Sequence, residues 1–253
     1  MGRYYNAFFV AQRLAVLYHL FVVVENNAAR IARNIAAVRA RIKDAALRAG
    51  RNPDDVTLMA VSKTFAPEAI EVAVKAGITD IGESRVQEGI DKIDRLGKIA
   101  RWHLIGHLQS NKTKKAVACF DMIQSLDSYS LAERVAEQAI KEKKTIACLI
   151  EMNSSGETGK FGFSPATVLS AFGKIAGLPG IDLHGLMTIG PLTTDERRIR
   201  AAFELTRKVY EQMRQVLGPR ISVLSMGMSS DYELAIECGS TMVRVGTAIF
   251  GAR

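Results

Sequence analysis

The chain has little cysteine and no cysteine motif. Cys119, Cys148 and Cys238 are far apart in 253 residues, and none forms a C-x-x-C pair. Each lies in or beside an apolar stretch, so they read as buried reduced thiols rather than a disulfide framework. Nothing suggests an oxidising compartment. An uninterrupted hydrophobic run long enough for a membrane span is also missing. Residues 7–24 are largely apolar but are broken by Gln12, Arg13 and His19, and a mid-span arginine is costly in lipid. Val22-Val23-Val24-Glu25-Asn26 offers no small-residue cleavage site for a signal peptide. Residues 1–24 therefore read as an amino-terminal extension outside the fold. A membrane tether through residues 7–24 stays open as an alternative, because the segment is near the minimum spanning length.

A broad surface of one charge is missing as well. The formal net charge of +8 is concentrated in residues 1–50, with eight Lys/Arg against two Asp/Glu, whereas the remaining 203 residues hold 26 against 24. A nearly neutral body implies no nucleic-acid partner. Metal-ligand spacings are absent too. His103 and His107 are four apart, but His103 lies in an apolar strand run and no Glu follows it. Gly156-Glu157-Thr158-Gly159-Lys160 resembles a P-loop only in part, since Ser154 replaces the first glycine and Phe161 follows the lysine. No metal is expected.

What is present is a regular alternation. Ile31, Ile35, Val38, Ile42 and Leu47 recur at helical spacing until Gly50 stops the helix. Apolar runs of strand length then follow at 58–61, 78–81, 102–105, 121–124, 145–150, 181–187, 221–224 and 241–245. Helical patterns near 67–76, 84–95, 111–117, 129–142, 165–176, 194–216 and 231–238 lie between them. This pattern predicts an α/β fold, a single-domain (β/α)8 TIM-type barrel over residues 25–253 with an extra amino-terminal helix. No low-complexity linker divides it.

In such a barrel the functional site gathers at the carboxyl ends of the strands. Lys63 ends the first apolar run, in Leu58-Met59-Ala60-Val61-Ser62-Lys63-Thr64. There an amine can be desolvated for Schiff-base chemistry, although a lysine stem covering the strand end would leave the same sequence. After the seventh run comes Ser225-Met226-Gly227-Met228-Ser229-Ser230-Asp231, and after the eighth Gly246-Thr247. Barrels often hold a phosphate with these two loops. Plain N-capping by Ser229 or Ser230 would produce much of the same pattern.

Several ordered blocks are similar to those of one family. They are Ala60-Val61-Ser62-Lys63-Thr64, Gly82-Glu83-Ser84-Arg85-Val86-Gln87-Glu88, His103-Leu104-Ile105-Gly106-His107-Leu108-Gln109-Ser110-Asn111-Lys112, Gly185-Leu186-Met187-Thr188, the segment from Ser225 to Asp231, and Val243-Arg244-Val245-Gly246-Thr247-Ala248-Ile249-Phe250-Gly251. Together they resemble the pyridoxal phosphate homeostasis protein family, a fold-type III group related to the amino-terminal barrel of alanine racemase. The resemblance covers about residues 26–253. It implies that Lys63 holds the aldehyde of pyridoxal phosphate as a Schiff base. Ser229, Gly246 and Thr247 would hold the phosphate, and Arg244 would face the pyridine nitrogen. A permanently charged guanidinium opposes protonation of that nitrogen and makes the ring a weaker electron sink. Met187 and His107 would line the ring pocket. Ser84 departs from the family, which usually carries asparagine there; if that asparagine serves the cofactor's ring hydroxyl or a nearby network, the shorter serine reaches it through water or not at all.

The resemblance implies a cytoplasmic carrier that binds pyridoxal phosphate and releases it, with apo-enzymes as recipients and no catalytic residues. The chain ends soon after the eighth strand, where alanine racemase continues into a second domain that supplies an opposing acid/base. A monomer without efficient racemisation is therefore expected. A pyridoxal-phosphate-dependent amino-acid racemase is the alternative.

Overall fold

The structure is a computed structural model and describes residues 27–252; the expected extension over residues 1–24 lies outside them. Eight parallel strands close in sequence order into a barrel. They are β1 (Thr57–Val61), β2 (Asp80–Glu83), β3 (Arg101–Leu104), β4 (Met122–Leu126), β5 (Ile146–Glu151), β6 (Ile181–Met187), β7 (Val223–Ser225) and β8 (Met242–Val245), and β8 pairs back onto β1. The helices around them are α1 (residues 27–48), α2 (Pro67–Lys75), α3 (Val86–Leu96), α4 (Thr113–Cys119), α5 (Tyr129–Lys141), α6 (Pro165–Ala176), α7 (Glu196–Leu217), α8 (Tyr232–Glu237) and α9 (Thr247–Phe250). The expected barrel is therefore found, with small shifts at element ends. The second strand begins at Asp80 rather than at Ile78. Gly77, at φ +87°, ends α2, and the Ile78 N–H bonds back to the Ala73 carbonyl at 3.0 Å, which spends Ile78 on the helix cap.

The strand period of two separates two environments. Outward residues such as Leu58, Ala60, Ile81, Trp102, Leu104 and Val243 join the apolar helix faces in the main core. Inside the barrel, Met122, Leu149 and Met187 form a separate small apolar cluster. Beside further apolar residues such as Met59, Val61 and Met242, the filling includes the buried polar residues Asp80, His103, Gln124, Ser225 and Arg244. A TIM barrel more often fills this space with branched apolar side chains. On β1 the alternation turns Met59 and Val61 inward and Leu58 and Ala60 outward. Continued past the strand end, it sends Lys63 inward and Ser62 and Thr64 outward.

On α1, the buried stripe is Ile31, Ile35, Val38, Ile42, Ala45 and Ala46, while Leu47 is exposed. A step of three or four from Ile42 leads to the alanines, and Leu47 falls on the opposite face. The start of α1 is tied to the end of α9: Arg30 donates to the Phe250 carbonyl at 2.8 Å and Asn34 to the Ile249 carbonyl at 2.9 Å. Cys148 and Cys238 are buried free thiols, whereas Cys119 is only half-buried. Among the described residues, no helix is long and apolar enough to cross a membrane.

Candidate functional site at the carboxyl mouth of the barrel

Lys63 stands two residues beyond β1, on a loop gripped from outside by a buried charge cluster. Lys92 of α3 donates to the Ser62 carbonyl at 2.7 Å, to Glu83 at 2.6 Å and to Glu88 at 2.7 Å. The Ser62 hydroxyl donates to the same Glu83 oxygen at 2.5 Å, and the Thr64 N–H donates to Glu88 at 2.5 Å. The two neighbours of Lys63 are thus held, and Lys63 itself is left to face the mouth. Thr64 sits at φ +69°, a conformation that costs a β-branched residue ~1–3 kcal/mol and persists only where its surroundings impose it. The Glu88 carboxylate is that imposition. Burial pushes the Glu83 carboxyl up, outweighing its bonds from Lys92 and Ser62. For Glu88, burial is outweighed by the bonds from Lys92 and the Thr64 N–H, which hold it below the usual carboxylate range.

Across the mouth, the loops after β7 and β8 meet. The Ser229 hydroxyl oxygen accepts from the Gly246 N–H at 3.2 Å and from the Ala248 N–H at 3.3 Å. Ser229 therefore does not cap its own helix. The N-cap of α8 is Asp231, which makes no side-chain cap bond; its carboxylate instead accepts from the Met228 N–H at 2.6 Å. The result is a cup of hydroxyl and backbone N–H groups from two chain segments, the donor set that suits a phosphate. A Cβ at Gly246 would lie 3.3 Å from the Val61 carbonyl oxygen, so the β8 loop closes tightly over β1.

Arg244, on β8, is buried between these two features. It donates to the Ser225 hydroxyl at 2.8 Å and to the Thr188 carbonyl at 2.7 Å. Burial pulls its pKa down to about 10, while the charges of Asp231 and Glu151 oppose that shift. The cavity that joins Lys63, the cup and Arg244 holds ≈ 370 Å³, and it is also lined by Val61, Phe65, Ser84, Ile105, Gly106, Ile189 and Met228. Gly106 sits where a Cβ would overlap the Ser84 carbonyl oxygen, so only glycine lets the β2 and β3 loops touch there.

Of the residues singled out from the sequence, Lys63, Ser84, Ser229, Arg244, Gly246 and Thr247 line this one cavity, while Met187 and His107 do not. Met187 is buried lower in the barrel with Met122 and Leu149. His107 lies on the rim, 2.8 Å from Asp127 and stacked on Phe161 at 3.7 Å between centroids. The apolar walls Phe65, Ile189 and Met228 had no mark of their own in the sequence beyond lying just after strand ends. Glu151 is the last residue of β5, a carboxylate at a strand end. The structure adds that it is buried with one oxygen unpartnered. Burial, and then the Asp127 charge, push its pKa up to about 7 against the pull of Arg244.

Residues 27–253 match the family model described as alanine racemase, N-terminal domain. A pyridoxal phosphate homeostasis protein of Pasteurella multocida is 44% identical over 227 residues, covering 88% of this chain and 97% of that protein. The structure of PipY from Synechococcus elongatus with PLP bound is 36% identical with a TM-score of 0.75, covering 88% of this chain and all of that one. Alanine racemase of Clostridium difficile shares the fold alone, at 16% identity and a TM-score of 0.73, and the match covers 57% of its chain.

Proposed function

The chain belongs to the pyridoxal phosphate homeostasis protein family, built on the alanine racemase N-terminal domain, and we propose that it serves cellular pyridoxal phosphate homeostasis as a carrier that binds the cofactor at the carboxyl mouth of its barrel and gives it up again. The observation that carries this reading is the convergence of one primary amine, one anion cup and one buried guanidinium on a single cavity.

The residues present fit the cofactor by the chemistry of their donors. Pyridoxal phosphate, when bound, supplies an aldehyde that condenses with a primary amine with loss of water, and the amine available is that of Lys63. The Ser229 hydroxyl with the Gly246 and Thr247 segment suits a phosphate, because its N–H groups and hydroxyls converge from two loops. Arg244 presents a charged donor at the cavity floor and would keep a ring nitrogen held against it unprotonated. Ser84 lines the wall, with less reach than an asparagine. A cavity of ≈ 370 Å³ lies in the range of small cofactor sites.

Carriage without efficient turnover is supported by what the cavity presents. Among its lining residues the ionisable side chains are Lys63 and Arg244. Proton exchange on both faces of a bound amino acid needs a second acid/base facing Lys63, and the lining supplies none. In this reading the cofactor-binding domain comprises residues 25–253, and apo-enzymes are the recipients. The decisive experiment is an absorbance spectrum of the full chain mixed with pyridoxal phosphate, beside Lys63→Ala. A Schiff-base band lost in Lys63→Ala, transfer of cofactor to an apo-enzyme, and L-alanine turnover no faster than with free cofactor are expected. An unchanged band in Lys63→Ala would sink the reading.

A further inference from the structure

Five of the buried polar residues inside the barrel form one hydrogen-bond chain with one direction. Arg244 can only donate, and it gives one N–H to the Ser225 hydroxyl at 2.8 Å. The Ser225 hydroxyl donates in turn to Gln124 Oε1 at 2.8 Å. The Gln124 amide nitrogen then lies 3.1 Å from His103 Nδ1, and His103 Nε2 lies 2.9 Å from an Asp80 oxygen. Two thioethers settle which way Gln124 points. Its nitrogen is 3.2 Å from Met242 Sδ and 3.9 Å from Met122 Sδ, and sulfur here can only accept. The far end is equally fixed. Burial alone would raise the Asp80 carboxyl, but bonds from His103, Thr79 and Arg101 outweigh it and hold it at about 2. Asp80 is therefore a carboxylate that can only accept. With a pure donor at one end and a pure acceptor at the other, His103 must carry its proton on Nε2.

We propose that Ser225, Gln124, His103 and Asp80 are positioning residues, a one-way hydrogen-bond chain through the barrel that holds the Arg244 guanidinium at the cavity floor against the ring of the bound cofactor. The inference rests on the carrier reading above. Among the described residues, Arg244 has no carboxylate within ion-pair distance, and its partners are the Ser225 hydroxyl at the head of this chain and the Thr188 carbonyl. The dipoles of the chain align head to tail between the cation at the mouth and the carboxylate at the opposite end of the barrel, and aligned hydrogen bonds strengthen one another. All five residues are buried. A broken link therefore leaves a buried donor or acceptor unpaired and frees the guanidinium to tilt.

The test uses the full chain, with and without pyridoxal phosphate. In the wild type, nitrogen NMR of the histidines should show His103 with its proton on Nε2. Loading with pyridoxal phosphate should shift its nitrogens while those of His184 stay in place. Gln124→Met keeps the side-chain length but severs the chain. It should bind pyridoxal phosphate about tenfold more weakly, with a displaced absorbance band and an altered pH titration of that band. Thermal unfolding shows whether the variant is folded; if it is not, the His103 measurement on the wild type decides. A His103 proton on Nδ1, or nitrogens that do not respond to loading, would overturn the proposal. So would a Gln124→Met band, titration and affinity equal to the wild type. A wild type lacking any Lys63-dependent band overturns the carrier reading and this inference together, whereas a Lys63-dependent band untouched by Gln124→Met overturns the inference alone.

Discussion

Lys92 Nζ stands 2.7 Å from the Ser62 carbonyl oxygen, so a buried ammonium on α3 grips the backbone one residue before Lys63. The same ammonium pairs with Glu83, whose side chain is fully buried. The position of the cavity's amine is therefore set by a charge cluster on the helix side of the sheet, out of reach of the cavity itself.

Removing that ammonium should be costly. Lys92→Met leaves Glu83 buried without its partner, and breaking a buried pair from one side destabilises by ~3–5 kcal/mol. The loss should shrink as the pH is lowered, because Glu83 can then take up a proton. Urea unfolding across pH would measure it, and Glu83→Gln in the same chain should restore part of the stability. A loss in the double variant equal to the sum of the two single losses would show that the pair is not coupled.

Ser229→Ala removes the oxygen that joins the β7 and β8 loops. The loss of its two accepted bonds should cost ~1 kcal/mol in stability. Affinity for both inorganic phosphate and pyridoxal phosphate should fall about tenfold, as expected for losing a hydrogen bond to a charged group. Titration by intrinsic fluorescence would report both constants. Unaltered phosphate binding would remove Ser229 from the cup.

Gly106→Ala places a methyl on the Ser84 carbonyl oxygen. Because the obstacle is backbone, the loop must move, at ~1–3 kcal/mol, and the cavity wall moves with it. The melting temperature and cofactor affinity should drop together. Gly173→Ala is the contrast, since nothing lies within 4 Å of a Cβ there. Inside α6 it should stabilise by ~0.5–1 kcal/mol through helix propensity, without a change in cofactor binding.

Glu151 carries a pH dependence of its own. Its folded-state pKa of about 7 lies above the ordinary 4.5 because of burial and the Asp127 charge. The folded state thus binds the proton more tightly, and stability falls as pH rises between those two values. Glu151→Gln, which stays neutral, should match the wild type near the low end of that window. It should exceed the wild type by up to ~3 kcal/mol above it. Chemical unfolding at about pH 5 and about pH 8 would show the difference widening with pH; a constant offset would mean the carboxyl is not perturbed.

Much of the site was legible in the sequence because it depends on local rules. The alternation of strand and helix patterns predicted the barrel, and the strand period of two, carried one turn of the chain past Val61, points Lys63 inward. Arg244 and Gly246 follow the same logic on β8. Met187 shows the limit of that logic. It lies at a strand end and on the inward face, yet the depth at which β6 enters the barrel puts it beneath the cavity, beside Leu149. His107 likewise follows β3 but turns to Asp127 on the rim.

The sequence by itself determined the order and period of the elements and the parity of each side chain, because covalent geometry sets these within a few residues. Only the tertiary structure decided which polar groups meet. Ser229 joins residues 17 and 19 positions away, and Ser225 reaches Gln124 across 101. Such pairings come from setting β7 beside β8 and from closing the barrel so that β4 faces β7, and no local pattern encodes them. The barrel interior excludes water, so each buried donor must find an acceptor there, and that demand turns five scattered polar residues into one directed chain.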